Sequence, residues 1–388
     1  MRRRAGLVLL ALAAFCAALA PLLRWYAFPR LAKVPPGQYQ EVVMEARPAT
    51  LLDYGTLRAR QVEKVTIVQT LKGNVEESER IERGTGRDVV VWDTLAHVQG
   101  PDGAMISQIP ERYVFDAHTQ DPVHAPGEMV DGTPVCREGL AFKWPFLTEK
   151  RDYRYFDAQT RTAAPIHYRG TRTFRGLEVY YFEQTIPWTK VPYPRTMPIP
   201  GVRAATLEQQ TGTTRWYTTR RMFWVEPVTG APVNGEEIHR EELRGGTLLG
   251  GRDRVTVFAG HVKMRPDYLD HTVDLVTSQR LLVLLLTSYG PWGALGAGGG
   301  LLVLALFLEA WARPSPLPIT GRSRTAGYSL PYFRLRSEVG VGACFTYRTK
   351  TSHGPIRCVL WSAGCLENLS LWEMIVNFQR SEIQGRPN

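Results

Sequence analysis

The sequence predicts a mainly β domain built from antiparallel sheets, held outside the cytoplasm and flanked by two transmembrane α-helices. Three observations carry this. Residues 5–23 and 281–308 are uncharged runs, and between them short β-branched and aromatic segments recur with turn signals. The chain has 388 residues, 44% of them hydrophobic. That leaves room for more than one unit and excludes wholesale disorder.

Arg2, Arg3 and Arg4 precede the first run. About 20 apolar residues cross a bilayer core as a helix, whereas the apolar core of a signal peptide is roughly 7–15 residues. Ala18-Leu19-Ala20 resembles a cleavage site, but Pro21 directly follows it. The expected element is therefore an uncleaved anchor. The second run lies between Arg280 and Glu309 and is interrupted by Gly290-Pro291 and by Gly296, Gly298, Gly299 and Gly300. The expected span is residues 292–308, with 281–288 as an interfacial lead-in and Trp292 and Trp311 at the membrane surface.

Cations before the first run and after the second (Arg313, Arg322, Arg324) place both termini in the cytoplasm. The expected division is 1–4 cytoplasmic, 5–23 span, 24–280 outer domain, 281–308 lead-in and second span, and 309–388 a poorly ordered cytoplasmic tail. The formal charge of +10 sits mostly at the two ends, and residues 24–280 hold 34 basic and 32 acidic residues. Nucleic-acid binding needs a clustered basic face, so it is set aside. Cys136 is the lone cysteine of the outer domain, and it is expected to be buried as a small hydrophobe.

Within the outer domain, residues 64–71, 88–93, 103–107, 112–115, 177–182 and 252–258 are expected strands. Residues 222–237 read as a hairpin turning at Pro227 and Gly230. The five prolines of 187–201 predict an extended surface loop. Residues 76–83 and 267–286 are expected helices.

The segments Phe115-Asp-Ala-His-Thr-Gln-Asp-Pro-Val123, Gly139-Leu-Ala-Phe-Lys-Trp-Pro-Phe146, Gly176-Leu-Glu-Val-Tyr-Tyr-Phe182 and Trp224-Val-Glu-Pro-Val-Thr-Gly230 carry a family likeness. So do Tyr153, Tyr155, Asp157, Pro165, Tyr168 and Gly170. Together they resemble the actinobacterial membrane-protein family labelled porin PorA-like, a domain of unknown function, over about residues 5–310. Gln120 stands where the resemblance implies the glycine of an Asp-x-x-Thr-Gly turn. The layout, a β-rich domain anchored at both ends, is also similar to that of class B scavenger receptors. A transmembrane β-barrel needs strands of about 9–11 residues with an apolar lipid-facing band. The strand runs here are too polar for that, and two helices enclose a pore only if several chains assemble.

No Gly-x-Ser-x-Gly elbow surrounds Ser78, Ser107 or Ser278, and no Cys-His spacing accompanies Cys136, so no catalysis is expected. His118, His124, Asp116, Asp121 and Glu128 form the densest set of potential metal ligands, but they match no zinc or calcium spacing and read as a turn-rich loop. Asp267, Asp270, His271 and Asp274 read as a hydrated helix face beside the membrane. No cofactor or metal is expected. Phe142, Trp144, Phe146, Tyr180 and Phe182 are expected to meet in one aromatic cluster, the candidate ligand or partner site. The first functional expectation is a module that binds envelope polymers or partner proteins. The alternative is a lipid-binding or lipid-transfer tunnel, and the third is an oligomeric pore. The bilayer and an envelope lipid or polymer are the expected partners. A solid aromatic core favours the first reading, and an apolar cavity reaching the membrane favours the second.

Overall fold

A computed structural model describes residues 2–196 and 204–312. The first uncharged run is helical, as α1 (Arg2–Pro21), and continues through a π turn at Leu22–Ala27 into α2 (Phe28–Leu31). Strand β1 (Tyr39–Asp53) follows, then β2 (Arg58–Val62) and β3 (Val65–Gly73). Helix α3 (Val75–Thr85) is capped at one end by Asn74, whose side chain accepts from Glu77 N, and ends at the left-handed Gly86. Next come β4 (Val89–Gln99), β5 (Met105–Asp116), β6 (Met129–Val130), β7 (Thr133–Pro134), β8 (Tyr153–Asp157), β9 (Thr162–Phe174) and β10 (Leu177–Val191). Helix α4 (Ala204–Thr211), β11 (Thr214–Val225), β12 (Pro232–Arg244) and β13 (Arg254–Met264) complete the domain. Helix α5 (Pro266–Leu284) then passes through a π turn at Leu285–Tyr289 into α6 (Gly290–Ala312).

All ladders are antiparallel, in the order β7-β6-β5-β4-β3-β1-β13-β12-β11-β10-β9-β8, with β2 on β1. The two ends of this path come together. The rings of Tyr113 on β5 and Phe156 on β8 lie 6.1 Å apart, edge to face. Arg195 N, beyond β10, donates to Asp131 Oδ2 at 2.7 Å, and Thr196 Oγ1 donates to Gln108 O on β5 at 2.6 Å. The sheet is thus rolled. Its outward face carries exposed Arg58, Arg172, Glu178, Arg220, Arg240 and Lys263. That face has no place in hydrocarbon, so the sheet is not a membrane barrel.

The two apolar helices pair antiparallel. A Cβ on Gly298 would lie 3.1 Å from Cys16 Cβ, and one on Gly290 would lie 3.0 Å from Leu23 Cδ1. Glycine at 298 therefore sets how closely the helices approach. Both helical segments are long and apolar enough to cross a membrane.

Three local expectations are corrected. Helix 266–312 does not break at Gly290-Pro291, because the preceding π turn absorbs the proline's missing N–H. Pro187–Val191 belongs to β10 and not to a loop. Pro187 lies where the ladder to β11 shifts register, between Ile186 and Thr189, a bulge position that tolerates proline. The expected strands 103–107 and 112–115 are parts of one strand, β5, which begins only at Met105. The expected tail falls outside the described residues beyond Ala312.

Candidate functional site

Rolling the sheet leaves space inside it. A cavity of about 1220 Å³ runs between the inner faces of the strands, above the roughly 300–1,000 Å³ of ordinary small-molecule sites. At one end its wall includes Leu31 and Val283, from the two membrane helices, and Tyr268, Leu275 and Val276 of α5. At the other it reaches Asp53, Tyr54 and Gly55, past the far end of β1. Between these ends the wall changes character. The sides built by β1, β3, β4 and β13 offer Val42, Met44, Ile67, Leu71, Trp92, Val262 and Met264.

The opposite wall is charged because β11 and β12 turn polar residues inward at every second position. Arg215, Tyr217 and Arg221 of β11 and Glu237, His239 and Glu241 of β12 all face the cavity. The ladder sets Arg221 opposite Glu237, Thr219 opposite His239 and Tyr217 opposite Glu241. Arg221 Nη2 pairs with Asp157 Oδ2 at 3.0 Å and Nε with Glu237 Oε2 at 3.2 Å. His239 bridges two carboxylates, Nδ1 to Glu237 at 2.9 Å and Nε2 to Glu241 at 2.8 Å. Arg215 reaches Glu241 at 2.7 Å. Tyr217 OH donates to Asp157 at 3.0 Å, and Thr219 Oγ1 donates to Glu237 at 2.9 Å. Each charged side chain of this network has an oppositely charged neighbour.

Electrostatics follow from that packing. Burial opposes the imidazolium of His239, but hydrogen bonds and charges from Glu237 and Glu241 outweigh it and lift the group to about 9. Burial also opposes the charged carboxylates. Arg221 and then His239 nevertheless hold Glu237 far below its usual range, and Arg215 with His239 holds Glu241 down to about 2. Glu111, buried beside this network, is instead pushed upward by burial. A raised histidine stabilises the fold below its unfolded pKa, about 6.5, and loses that contribution as pH rises toward 9. Depressed carboxylates stabilise it above about 4.5 and lose that contribution as pH falls toward the folded values. Thermal midpoints of the full chain should therefore peak between about pH 4.5 and 6.5 and decline toward pH 9. His239→Gln should flatten the alkaline decline, and an unchanged slope in that variant would refute the assignment.

The five aromatics expected in one cluster divide. Trp144 and Phe182 are fully buried and stacked at 5.1 Å between centroids, with Tyr153, Tyr155, Ile166 and Val225 around them. Tyr180 only flanks this group. Phe142 packs elsewhere, against Trp92 and Tyr113, and Phe142 and Phe146 line the cavity. Strand alternation would put residues 142, 144 and 146 on one side, but Phe142 takes a left-handed backbone (φ +63) and residues 146–147 form a turn, so the three rings separate. The backbone N–H of Trp144 donates to Gly230 O at 2.9 Å and that of Leu147 to Val228 O at 3.0 Å. Gly230 has φ +72, and a Cβ there would lie 2.2 Å from Trp144 O.

The other candidates are structural. Asp116 Oδ1 accepts from His118 N and Thr119 N, and Gln120 takes the left-handed position (φ +66) where a glycine was expected. Its side-chain amide, donating to Ala117 O, helps hold it there. His118 binds Asp88, and Glu128 is buried against Arg137 at 3.1 Å. Asp267 pairs with Arg265 and Asp270 with Arg175, while His271 is exposed and borders the cavity. Among the described residues no group of three or more His, Cys, Asp or Glu is placed to hold a metal ion. Cys136 is exposed, not buried, with Sγ 3.5 Å from His124 Nδ1. The buried place next to it is taken by Arg137.

The molecule is a rolled antiparallel sheet around a cavity, carried on a pair of long apolar helices. The Porin PorA family model matches residues 5–307, so the chain belongs to that family. A protein named Porin PorA from Corynebacterium resistens is 27% identical, over 34% of this chain and 46% of its own length. Another of that name, from Corynebacterium amycolatum, is 25% identical, over 48% of this chain and 58% of its own length. The chain spans about half the length of the curated relatives it matches.

Proposed function

We propose that this is a membrane-anchored protein of the cell envelope whose outer domain takes amphiphiles from the bilayer into an internal tunnel. One observation carries the reading: the cavity wall is continuous from Leu31 and Val283, on the membrane helices, to Tyr54 at the opposite end. An apolar wall facing a charged one, along a passage that starts at the membrane helices, suits a molecule with both a tail and a head. This supports the lipid-tunnel expectation over recognition through surface loops. It calls for no catalytic residue. The antiparallel helix pair, with Arg2, Arg3 and Arg4 leading the first helix, supports both termini lying in the cytoplasm and Cys136 lying outside. An impermeant maleimide should then label Cys136 on intact cells, and no labelling before lysis would reverse the topology.

The tunnel itself is tested by solvent extraction and mass spectrometry of the full chain purified in a mild detergent. An amphiphile should co-purify. Ala96→Trp, which fills the cavity from β4, should expel most of it without unfolding the sheet. A wild-type protein free of bound amphiphile would end this reading. The name of the relatives supports a second one, an assembly in which several helix pairs enclose a pore. Concentration-dependent conductance steps in planar bilayers would favour it, and a silent bilayer would remove it.

A further inference from the structure

Two sets of polar groups in the cavity wall contrast. Those on β11 and β12 are paired among themselves, so a ligand head that bound there would have to break existing ion pairs. The second set lies near the helices and has no such partners. Trp92 Nε1 and Gln279 Nε2 are buried and meet no hydrogen-bond acceptor among the described residues. Lys143 Nζ donates to Trp144 O at 2.9 Å and sits 3.8 Å over the Phe146 ring, with no carboxylate within ion-pair distance among the described residues. All three line the cavity.

Their immediate neighbours are linked. Phe142, next to Lys143, packs against Trp92 in a tilted contact with centroids 5.8 Å apart. Arg280, next to Gln279, pairs with Glu226 at 3.1 Å, in the same turn that docks Trp144 through Gly230. Glu226 is the nearby negative charge, but Arg280, Val228 N, Thr229 N and the Thr229 hydroxyl already hold it. All three unmatched groups are donors, and one of them is cationic. A ligand that satisfies them brings acceptor oxygens and a negative charge.

We propose that the membrane-proximal part of the cavity binds the anionic, oxygen-bearing head of an amphiphile, with Lys143 as its charge partner and Trp92 and Gln279 as neutral donors. This rests on the tunnel reading and adds to it the class of head and the place where it is held. Burial drives the Lys143 ammonium down to about 7, a cost that an arriving anion removes. A carboxylate and a phosphate both meet the requirement.

The test uses the full chain, delipidated in a neutral maltoside detergent, with cis-parinaric acid and its methyl ester as fluorescent probes. The acid should bind about tenfold tighter than the ester or better, the scale of one charge-assisted contact. Lys143→Met should abolish that preference while leaving the ester's affinity unchanged. Lys143→Arg should retain the preference, which separates lost charge from lost folding. Displacement by oleate and by oleyl phosphate then ranks the two heads, and displacement by either supports an anionic site. Equal binding of acid and ester by the wild type would overturn this proposal and leave the tunnel standing. A preference that survives in Lys143→Met would overturn the role of Lys143. Binding of neither probe would overturn the tunnel reading itself.

Discussion

Replacing Arg221 with leucine should lower the thermal midpoint of the full chain by about 6–12 °C. The guanidinium holds two carboxylates at once, Asp157 at 3.0 Å and Glu237 at 3.2 Å, and also donates to Gln184 Oε1 at 3.2 Å. Asp157 is fully buried, so without Arg221 its charge keeps only neutral donors, the Tyr217 hydroxyl at 3.0 Å and Thr160 N at 2.7 Å, among the described residues. Removing one member of a buried pair typically costs 3–5 kcal/mol. The cavity gives Arg221 some access to solvent, which sets the expectation near the lower limit, about 3 kcal/mol. For a domain of this size each kcal/mol is worth about 2–4 °C. Asp157→Asn added to Arg221→Leu should recover part of the loss, because the buried carboxylate left without a cation is then neutral. Thermal scans of both variants measure this directly. A midpoint unmoved in Arg221→Leu would mean that water, not the arginine, balances these carboxylates.

This network was the least legible part of the sequence. Arg215, Tyr217, Arg221, Glu237, His239 and Glu241 alternate along their strands, but so do the exposed residues between them. Polar residues on both faces of a strand read as two solvated faces, and nothing in the pattern says that the sheet will roll and enclose one of them. A signal was present nonetheless. The hairpin around Pro227 and Gly230 was plain in the sequence, and counting outward from its turn sets Arg221 opposite Glu236; a bulge between Trp224 and Val225 moves the pairing by one, to Glu237. Opposite charges at matched register on neighbouring strands are the mark of cross-strand pairing.

Elsewhere legibility followed local rules and failed where the sheet overrode them. The helices at 75–85 and 266–284 appear close to their expected places, 76–83 and 267–286, since helix signals are local. Strand β1 escaped notice although it pairs with β2, β3 and β13. Pro48 interrupts it, and the register slips between Ala46 and Ala49 to accommodate that residue. The cavity entered only as an alternative, by likeness of layout, and no residue pattern located it, because it depends on contacts such as Tyr113 with Phe156, between strands distant in the chain.

The two halves of the expected aromatic cluster should respond differently to truncation. Trp144→Ala should cost about 3–5 kcal/mol, the usual range for a buried aromatic reduced to alanine. Its ring stacks on Tyr155 at 5.4 Å and Phe182 at 5.1 Å, and meets Phe223 edge-on at 5.3 Å. The hole would lie in the cluster that anchors the 226–230 turn, and no neighbouring backbone can collapse into it without breaking the Trp144–Gly230 hydrogen bond. Domains hold only about 5–15 kcal/mol in reserve, so most of the variant should be lost from the membrane as unfolded protein. Phe182→Ala should behave alike, since that ring is also fully buried in the same cluster. Phe146→Ala should do the reverse. Its ring borders the cavity under Lys143, so truncation enlarges an existing space and leaves no sealed void. Folded yield should stay near wild type while retention of bound amphiphile falls. Yield, thermal midpoint and extracted lipid measured on the three variants decide the matter. Equal destabilisation by all three would show that Phe146 belongs to the core after all. A folded Trp144→Ala would show that the stack does not hold the turn.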